Sequence, residues 1–382
     1  MGFYNDIEDD PFLGDSIRNK VDEWDVGIDP RDIKYQSVVE KYSRLVRFKY
    51  VFITICFLII AFVVGYSITL GAYDISYMEV YKVILYHLIG QPYPDTTIDY
   101  IVWDNRMPRI IFGLFGGAGL AVAGAVMQSI LKNPLADSYT TGVSSGASFG
   151  ATLAMAMGLT MANMSSVVVF AFCFALIPTA VIVAVSKMTN SSPTTMIMAG
   201  IGIMYLFSAM TTVMMLWSDP TNLSSIYAWQ VGSLSNGNVN VGNIWTIVIS
   251  STAGIFVMCL MARRINVLAT GDESAKSLGI DADKLRIILL LICALLSAAI
   301  VSFIGLIGFV GLVSPHIVRM FIGADNRYLI PASAIFGGMI MIVADQIGRV
   351  ALSVPVPVGV VMAFLGGPIF LALILKRHKQ AW

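Results

Sequence analysis

The run IIFGLFGGAGLAVAGAVMQSIL, residues 110–131, carries no charged side chain from end to end. A spanning α-helix needs ~20 predominantly apolar residues to cross a hydrocarbon core of ~30 Å, and this stretch supplies them. Gly113 and Gly117 recur at a spacing of four, a ridge that lets helix backbones approach where lipid gives no hydrophobic drive. Similar runs lie on both sides. Residues 51–70 form a span before it, and residues 138–186 are free of charge over two helix lengths, with a turn signal at 158–163. Residues 188–217, 242–262 and 287–304 follow as the fifth, sixth and seventh. A glycine-rich piece at 308–321 reads as a short, broken eighth, with 328–348 and 356–375 as the ninth and tenth. Residues 220–231 read as a short interfacial helix, followed by a turn at Asn236-Gly237-Asn238. The expected fold is all-α and polytopic, with about ten spans. Gly142, Gly146 and Gly150 repeat the spacing of four on span three, and close helix packing explains them without a substrate path.

Composition agrees. Of 382 residues, 57% are hydrophobic and 13% charged, against roughly 25% charged in soluble domains. The net charge of zero hides an asymmetry: residues 1–45 hold eleven acidic residues against six basic ones. This segment lacks the basic start and early apolar core of a signal peptide. It reads as a flexible, solvated cytoplasmic extension, residues 1–45, ahead of a membrane domain at 46–378. Cys56, Cys173, Cys259 and Cys293 all sit in apolar runs without a C-x-x-C pair, so they read as small buried hydrophobes.

Lysine and arginine cluster in every second connection. Lys41, Arg44, Arg47 and Lys49 precede span one, Lys132 follows span two and Lys187 follows span four. Arg263, Arg264, Lys276, Lys284 and Arg286 lie between spans six and seven, Arg319 and Arg327 lie between eight and nine, and Lys376, Arg377 and Lys379 follow the last span. The positive-inside rule then puts both termini in the cytoplasm of a plasma-membrane protein. Lys82, Arg106, Arg109 and Arg349 defy that pattern.

Several chemistries have no sequence support. No G-x-x-x-x-G-K-[ST] is present, so no nucleotide is held through a Walker motif. His87, His316 and His378 are scattered and no H-E-x-x-H occurs; no catalytic residue, metal site or bound cofactor is expected, nor a nucleic-acid partner. Asp345 is the single acid placed at mid-membrane, with Arg349 one turn later to neutralise it. An ion-coupled secondary transporter is the alternative reading, and it rests on that one acid. A transporter body without an energy source points to a partner subunit.

Four stretches are specific. The first runs from Arg106-Met-Pro-Arg109 through Gly117–Gln128 to Asn133-Pro134-Leu135-Ala136-Asp137 and G-V-S-S-G-A at 142–147. The second is W-Q-V-G-S-L at 229–234, and the third G-D-E-S-A-K-S-L-G-I at 271–280. The fourth joins G-F-V-G-L-V-S-P-H-I-V-R at 308–319, A-D-Q-I-G-R at 344–349, P-V-G-V-V at 357–361 and Gly366-Gly367-Pro368. In order and spacing they resemble the permease family of type II ABC importers for iron-siderophore, haem and cobalamin. The resemblance covers about residues 50–378.

It implies a homodimer with ten transmembrane helices per subunit. Two ATPase subunits would dock on the cytoplasmic face and use the ATP, and an extracytoplasmic substrate-binding protein would deliver an iron chelate or cobalamin. By the same resemblance residues 268–284 are the coupling loop, with Gly271, Asp272, Glu273, Ser277, Leu278 and Gly279 facing the ATPase. Capping logic supports a short helix there, since carboxylates favour the N-terminal dipole and Gly279 can end it. Arg106 and Arg349 would meet acids on the binding protein. Asn133, Pro134 and Pro315 are expected as helix-break or gate positions. Spans five and ten would line the route; methionines such as Met198 and Met210 would suit an adaptable wall, but lipid-facing or packing methionine is the better reading of them.

Overall fold

The computed structural model describes residues 33–71, 73–159, 164–188, 192–350 and 354–378, with backbone alone at 33–39, 41 and 373–378. Residues 1–32 of the acidic extension and residues 160–163 of the expected turn lie outside the described residues. Contacts divide the chain at Val51, with the body running from Phe52 onward.

Thirteen α-helices, a 3-10 turn at Val241–Asn243 and no strand are present among the described residues. They are α1 Ile33–Ser67, α2 Tyr77–Leu88, α3 Thr96–Ile130, α4 Val143–Ala156, α5 Met164–Met188, α6 Pro193–Leu216 and α7 Pro220–Gln230. Then follow α8 Ile244–Thr270, α9 Asp272–Ser277, α10 Ala282–Ile304, α11 Val310–Ile322, α12 Asn326–Val350 and α13 Val358–His378.

Seven of these are long and apolar enough to cross a membrane: α1 from Tyr42, α3, α5, α6, α8, α10 and α12. Helices also stand at the other three expected positions, α4, α11 and α13, but α4 has 14 residues and α11 has 13. At ~1.5 Å per residue neither reaches across ~30 Å alone.

The largest difference from the sequence reading is α3. It starts at Thr96 rather than 110 and runs 35 residues, its entry widened by one π turn over Tyr100–Arg106. Charges at Asp99, Arg106 and Arg109 interrupt the apolar pattern there. A fourth charge, Asp104, is exposed, while these three are bound within the protein: Asp99 to His87, Arg106 to backbone carbonyls and Arg109 to Asp345. The helix therefore continues where hydropathy stops.

α3 is the axis of the body, packed on α8, α10, α11 and α12. Its most apolar window is 83% buried, against 11% for α1, 17% for α8 and 22% for α6, so those three turn most of their apolar surface outward. The backbone approaches on α3 need glycine. A methyl on Gly124 would overlap the Gly311 carbonyl of α11, and one on Gly117 would overlap Gly337 of α12. Gly146 and Gly150 of α4 lie likewise against the α5 backbone. The glycine ridges thus serve helix packing.

Candidate functional site

At one end of the body, α3 finishes at Ile130 and the chain turns sharply. The helix ends before Asn133: Lys132 adopts φ +49°, and in the turn that follows Asn133 Oδ1 accepts the Leu135 N–H at 2.8 Å. Lys132 Nζ reaches Asp272 at 3.0 Å, and Arg286 of α10, with no exposed surface, donates to the same Asp272 oxygen at 2.7 Å. Arg286 also donates to the Ile130 carbonyl at 3.1 Å. Two cations and a helix end therefore hold the start of α9. Desolvation would raise the Asp272 pKa, but Lys132 and Arg286 together outweigh it and hold the carboxyl below its usual range.

Gly271, at φ +142°, opens α9 and Gly279, at φ +75°, closes it. The Gly279 N–H donates to Lys276 O and the Ile280 N–H to Ala275 O, the paired bonds of a glycine-terminated helix end. Ala275 is buried beneath. Glu273, Ser277, Leu278 and Gly279 face outward, and Leu278 is 67% exposed. The six residues expected to act together thus divide: Asp272 anchors, while Glu273, Ser277 and Leu278 present a surface.

A second site forms where α10 gives way to α11. The break lies at Gly305–Phe309, with φ +77° at Gly305 and +66° at Phe309. Pro315 was expected to break this helix and does not: α11 is continuous from Val310 to Ile322. The proline lacks the N–H that would bond to the Gly311 carbonyl. Gln128 Nε2 of α3 approaches that carbonyl at 3.4 Å and the Leu312 carbonyl at 3.3 Å, while its Oε1 accepts from Arg319 at 3.1 Å.

Around the break, Gly232 after α7, Gly305 and Gly359 at the start of α13 meet backbone to backbone, with the Gly359 N–H donating to Gly232 O at 3.2 Å. Beside them lies a cavity of 640 Å³. Leu306, Phe309, Val360 and Phe364 make its apolar wall, and Thr140 and Gln230 add polar groups. Asp137 also lines it, but its carboxylate accepts from the Tyr139 and Thr140 N–H groups at 3.0 Å and is satisfied by its own loop. Such a wall suits a bulky amphipathic solute better than an ion.

At the far end of α3, Arg106 is 4% exposed and donates to the carbonyls of Ile68, Thr69 and Tyr73 at 2.6–2.9 Å. It ties the end of α1 to α3. Asp345 is gripped by Arg109, through Nε at 2.7 Å and Nη2 at 2.7 Å, whereas Arg349, the expected i+4 partner, stands at 3.5 Å. Arg109 also meets Ser235. Asp345 is thus a locked structural anion.

The sequence reading missed Arg286, Lys132 and Arg109 as partners: Lys132 and Arg109 pair across 140 and 236 residues, and Arg286 reaches Asp272 from the next helix, 14 residues on. It also missed Phe309, whose left-handed backbone leaves no trace in composition.

The chain belongs to the FecCD transport family, matched over residues 57–376. A protein of Methanocaldococcus jannaschii described as an ABC transporter permease is 36% identical over 359 residues, covering 90% of this chain and 99% of that one. The cobalamin import system permease protein BtuC of Halobacterium salinarum is 35% identical over 76% of this chain and 82% of its own length. A solved structure described as an inward-facing metal-chelate type ABC transporter superposes with a TM-score of 0.75 at 27% identity, covering 85% of this chain and 98% of that chain. The protein is therefore a multi-pass permease subunit of an ABC importer. In this family separate subunits hydrolyse the ATP, and the permease works with ATPase and substrate-binding partners.

Proposed function

We propose that two copies of this chain, each with ten membrane segments and both termini cytoplasmic, form the path through which an iron chelate, haem or a cobalamin-type corrinoid enters the cell. The observation that carries this reading is the 640 Å³ cavity at the α10–α11 break. Its size and mixed wall suit a large chelate. Phe364 on its rim is 76% exposed, an apolar edge that a second copy would cover. The names of the relatives, one for cobalamin and one for metal chelates, point to the same solutes.

In this scheme two ATPase subunits receive the exposed side of α9, with Glu273, Ser277 and Leu278 in contact and Asp272 fixing the helix from behind. The turn at Asn133 and Pro134 sits beside α9, through Lys132 and Asp272, so a push on α9 reaches the end of α3 directly. That supports a gate there. Pro315 belongs with it only as part of the α11 packing on Gln128. A binding protein docks at the opposite end. The burial of Arg106 and the pairing of Arg349 favour a role for both in holding helix ends beneath that surface, in place of direct charge contact.

Reconstitution with the ATPase subunits and binding protein tests the proposal. Uptake of a ferric chelate, haem or cobalamin should require ATP and proceed without any ion gradient. Uptake driven by a proton or sodium gradient in the absence of ATP would refute it.

A further inference from the structure

The α2 helix takes no part in the scheme above. Its underside is fixed to the protein: Val80 and Val83 are buried with Ile75, Ile98 and Val102. His87 Nε2 lies 2.7 Å from Asp99 Oδ1, and the His87 ring stacks on Trp103 with centroids 3.9 Å apart. Ser76 and Glu79 close a capping box at its first turn. These contacts set the roll of the helix. The side turned away carries Met78, Tyr81, Leu85 and Leu88, exposed by 73%, 65%, 59% and 75%. Spacings of three, four and three make them one stripe along a helix. A helix on a water-facing surface would put polar residues there. α2 is apolar on both sides, with Glu79 and Lys82 between.

Its height follows from Arg106. That side chain binds the carbonyls where α1 ends, at Ile68, Thr69 and Tyr73, which places Arg106 level with the end of the first span. Ile98 and Val102, on which α2 packs, precede Arg106 by eight and four residues, at most about 12 and 6 Å at the ~1.5 Å rise of an α-helix, and less because Tyr100–Arg106 is a π turn of shorter rise. A bilayer of ~30 Å hydrocarbon and ~40–45 Å in all leaves a headgroup layer of roughly 5–7 Å on each side. α2 is also tied at both ends to membrane-crossing helices, through residues 68–76 and 89–95. On these figures Val102 falls within the headgroup layer and Ile98 at its outer edge, so α2 lies against the outer part of that layer. Tyrosine is enriched at that depth, and interfacial helices bury their apolar face at the boundary between headgroup and acyl chain.

We infer that α2 is an interfacial helix that rests on the lipid surface, with Met78, Tyr81, Leu85 and Leu88 turned into the bilayer. The exposed Lys82 beside the stripe is placed for a lipid phosphate. A second copy of the chain and the docked binding protein are the competing occupants of this face.

The test uses the full chain with its native cysteines, in vesicles of phosphatidylethanolamine and phosphatidylglycerol. A benzophenone amino acid replaces Tyr81 or Leu85, and a control carries it at exposed Asp74. On illumination, both stripe positions should give lipid adducts identified by mass, well above the control. Adducts to a second copy, adducts that appear only when the binding protein is added, or a lipid yield no higher than the control would each overturn the inference. A nitroxide scan over 78–88 reads the same surface without crosslinking. Collisions with oxygen should peak at 78, 81, 85 and 88 and dip at 80 and 83. Peaks for a water-soluble nickel chelate at the stripe would overturn the inference as well.

Discussion

Asp272 answers to two cations, one of them fully buried, and that decides how the α9 loop fails. Replacing it by lysine leaves Arg286 and Lys132 facing a third positive charge. Arg286 keeps Asp283 at 3.4 Å and the Ile130 carbonyl at 3.1 Å. Loss of a charge-paired hydrogen bond at such a site costs roughly 1–3 kcal/mol, so Asp272→Lys should lower the thermal midpoint of the detergent-purified protein. Glu273→Lys sits on the exposed side and should leave that midpoint unchanged. Its effect should appear instead as a loss of transport and of substrate-stimulated ATP hydrolysis. Equal midpoints for the two variants would show that Asp272 is no anchor. Arg106 follows similar logic. Arg106→Glu sets a carboxylate against three carbonyls and should reduce the yield of folded protein, whereas Arg106→Lys keeps one donor group and should fold at an intermediate yield. If Arg106→Glu folds normally and only slows binding-protein docking in a salt-sensitive way, the arginine is a contact residue after all.

At the scale of elements, α11 shows how a proline is accommodated inside a short helix. Gln128 supplies the amide that Pro315 lacks and an acceptor for Arg319. Gln128→Leu should therefore destabilise the protein by roughly 1–3 kcal/mol, read as a fall in thermal midpoint, without touching the cavity wall. The α11–α12 turn carries a pH signature. Arg327 donates to Asp325 at 2.6 Å, and chiefly through that contact, with burial opposing, the Asp325 carboxyl is lowered to about 2. A depressed acid adds stability above its unfolded value of ~3.9, and that stability is lost as pH falls from there toward about 2. Midpoints measured between about pH 5 and about pH 3 should drop. Asp325→Asn should drop less over the same interval. Identical slopes would assign the acid sensitivity to other groups. α3 carries a different lesson, because its first turns are charged and its helix still continues. Hydropathy stops at the charge, whereas the structure satisfies it.

For the whole molecule, accessibility labelling reads the number of crossings and their direction. Single cysteines at Gly237 and Ser274, both exposed, should react with impermeant reagents from opposite sides of sealed cells. Gly237 is the better site than neighbouring Asn236, whose side-chain amide is engaged with the Phe303 carbonyl at 2.7 Å. Reaction of both from one side would rule out the ten-segment arrangement.

The sequence by itself determined the class of the fold and the positions of its apolar helices. Both depend on local counts, the absence of charge over a membrane's width and the glycines that let backbones meet. It also marked α9, because caps and carboxylates at a helix start are local chemistry. Only the tertiary structure decided which charges are surface and which are ties. Arg106 and Asp272 look like solvent-facing charges from their neighbours in sequence. Each is instead held by groups from another segment, Arg106 by carbonyls some 33–38 residues earlier and Asp272 by Lys132, 140 residues away. The cavity beside the Gly305–Phe309 break was likewise decided in three dimensions, since its walls come from segments far apart in the chain. Pairing and enclosure are properties of distance in space, and hydropathy along the chain contains no term for it.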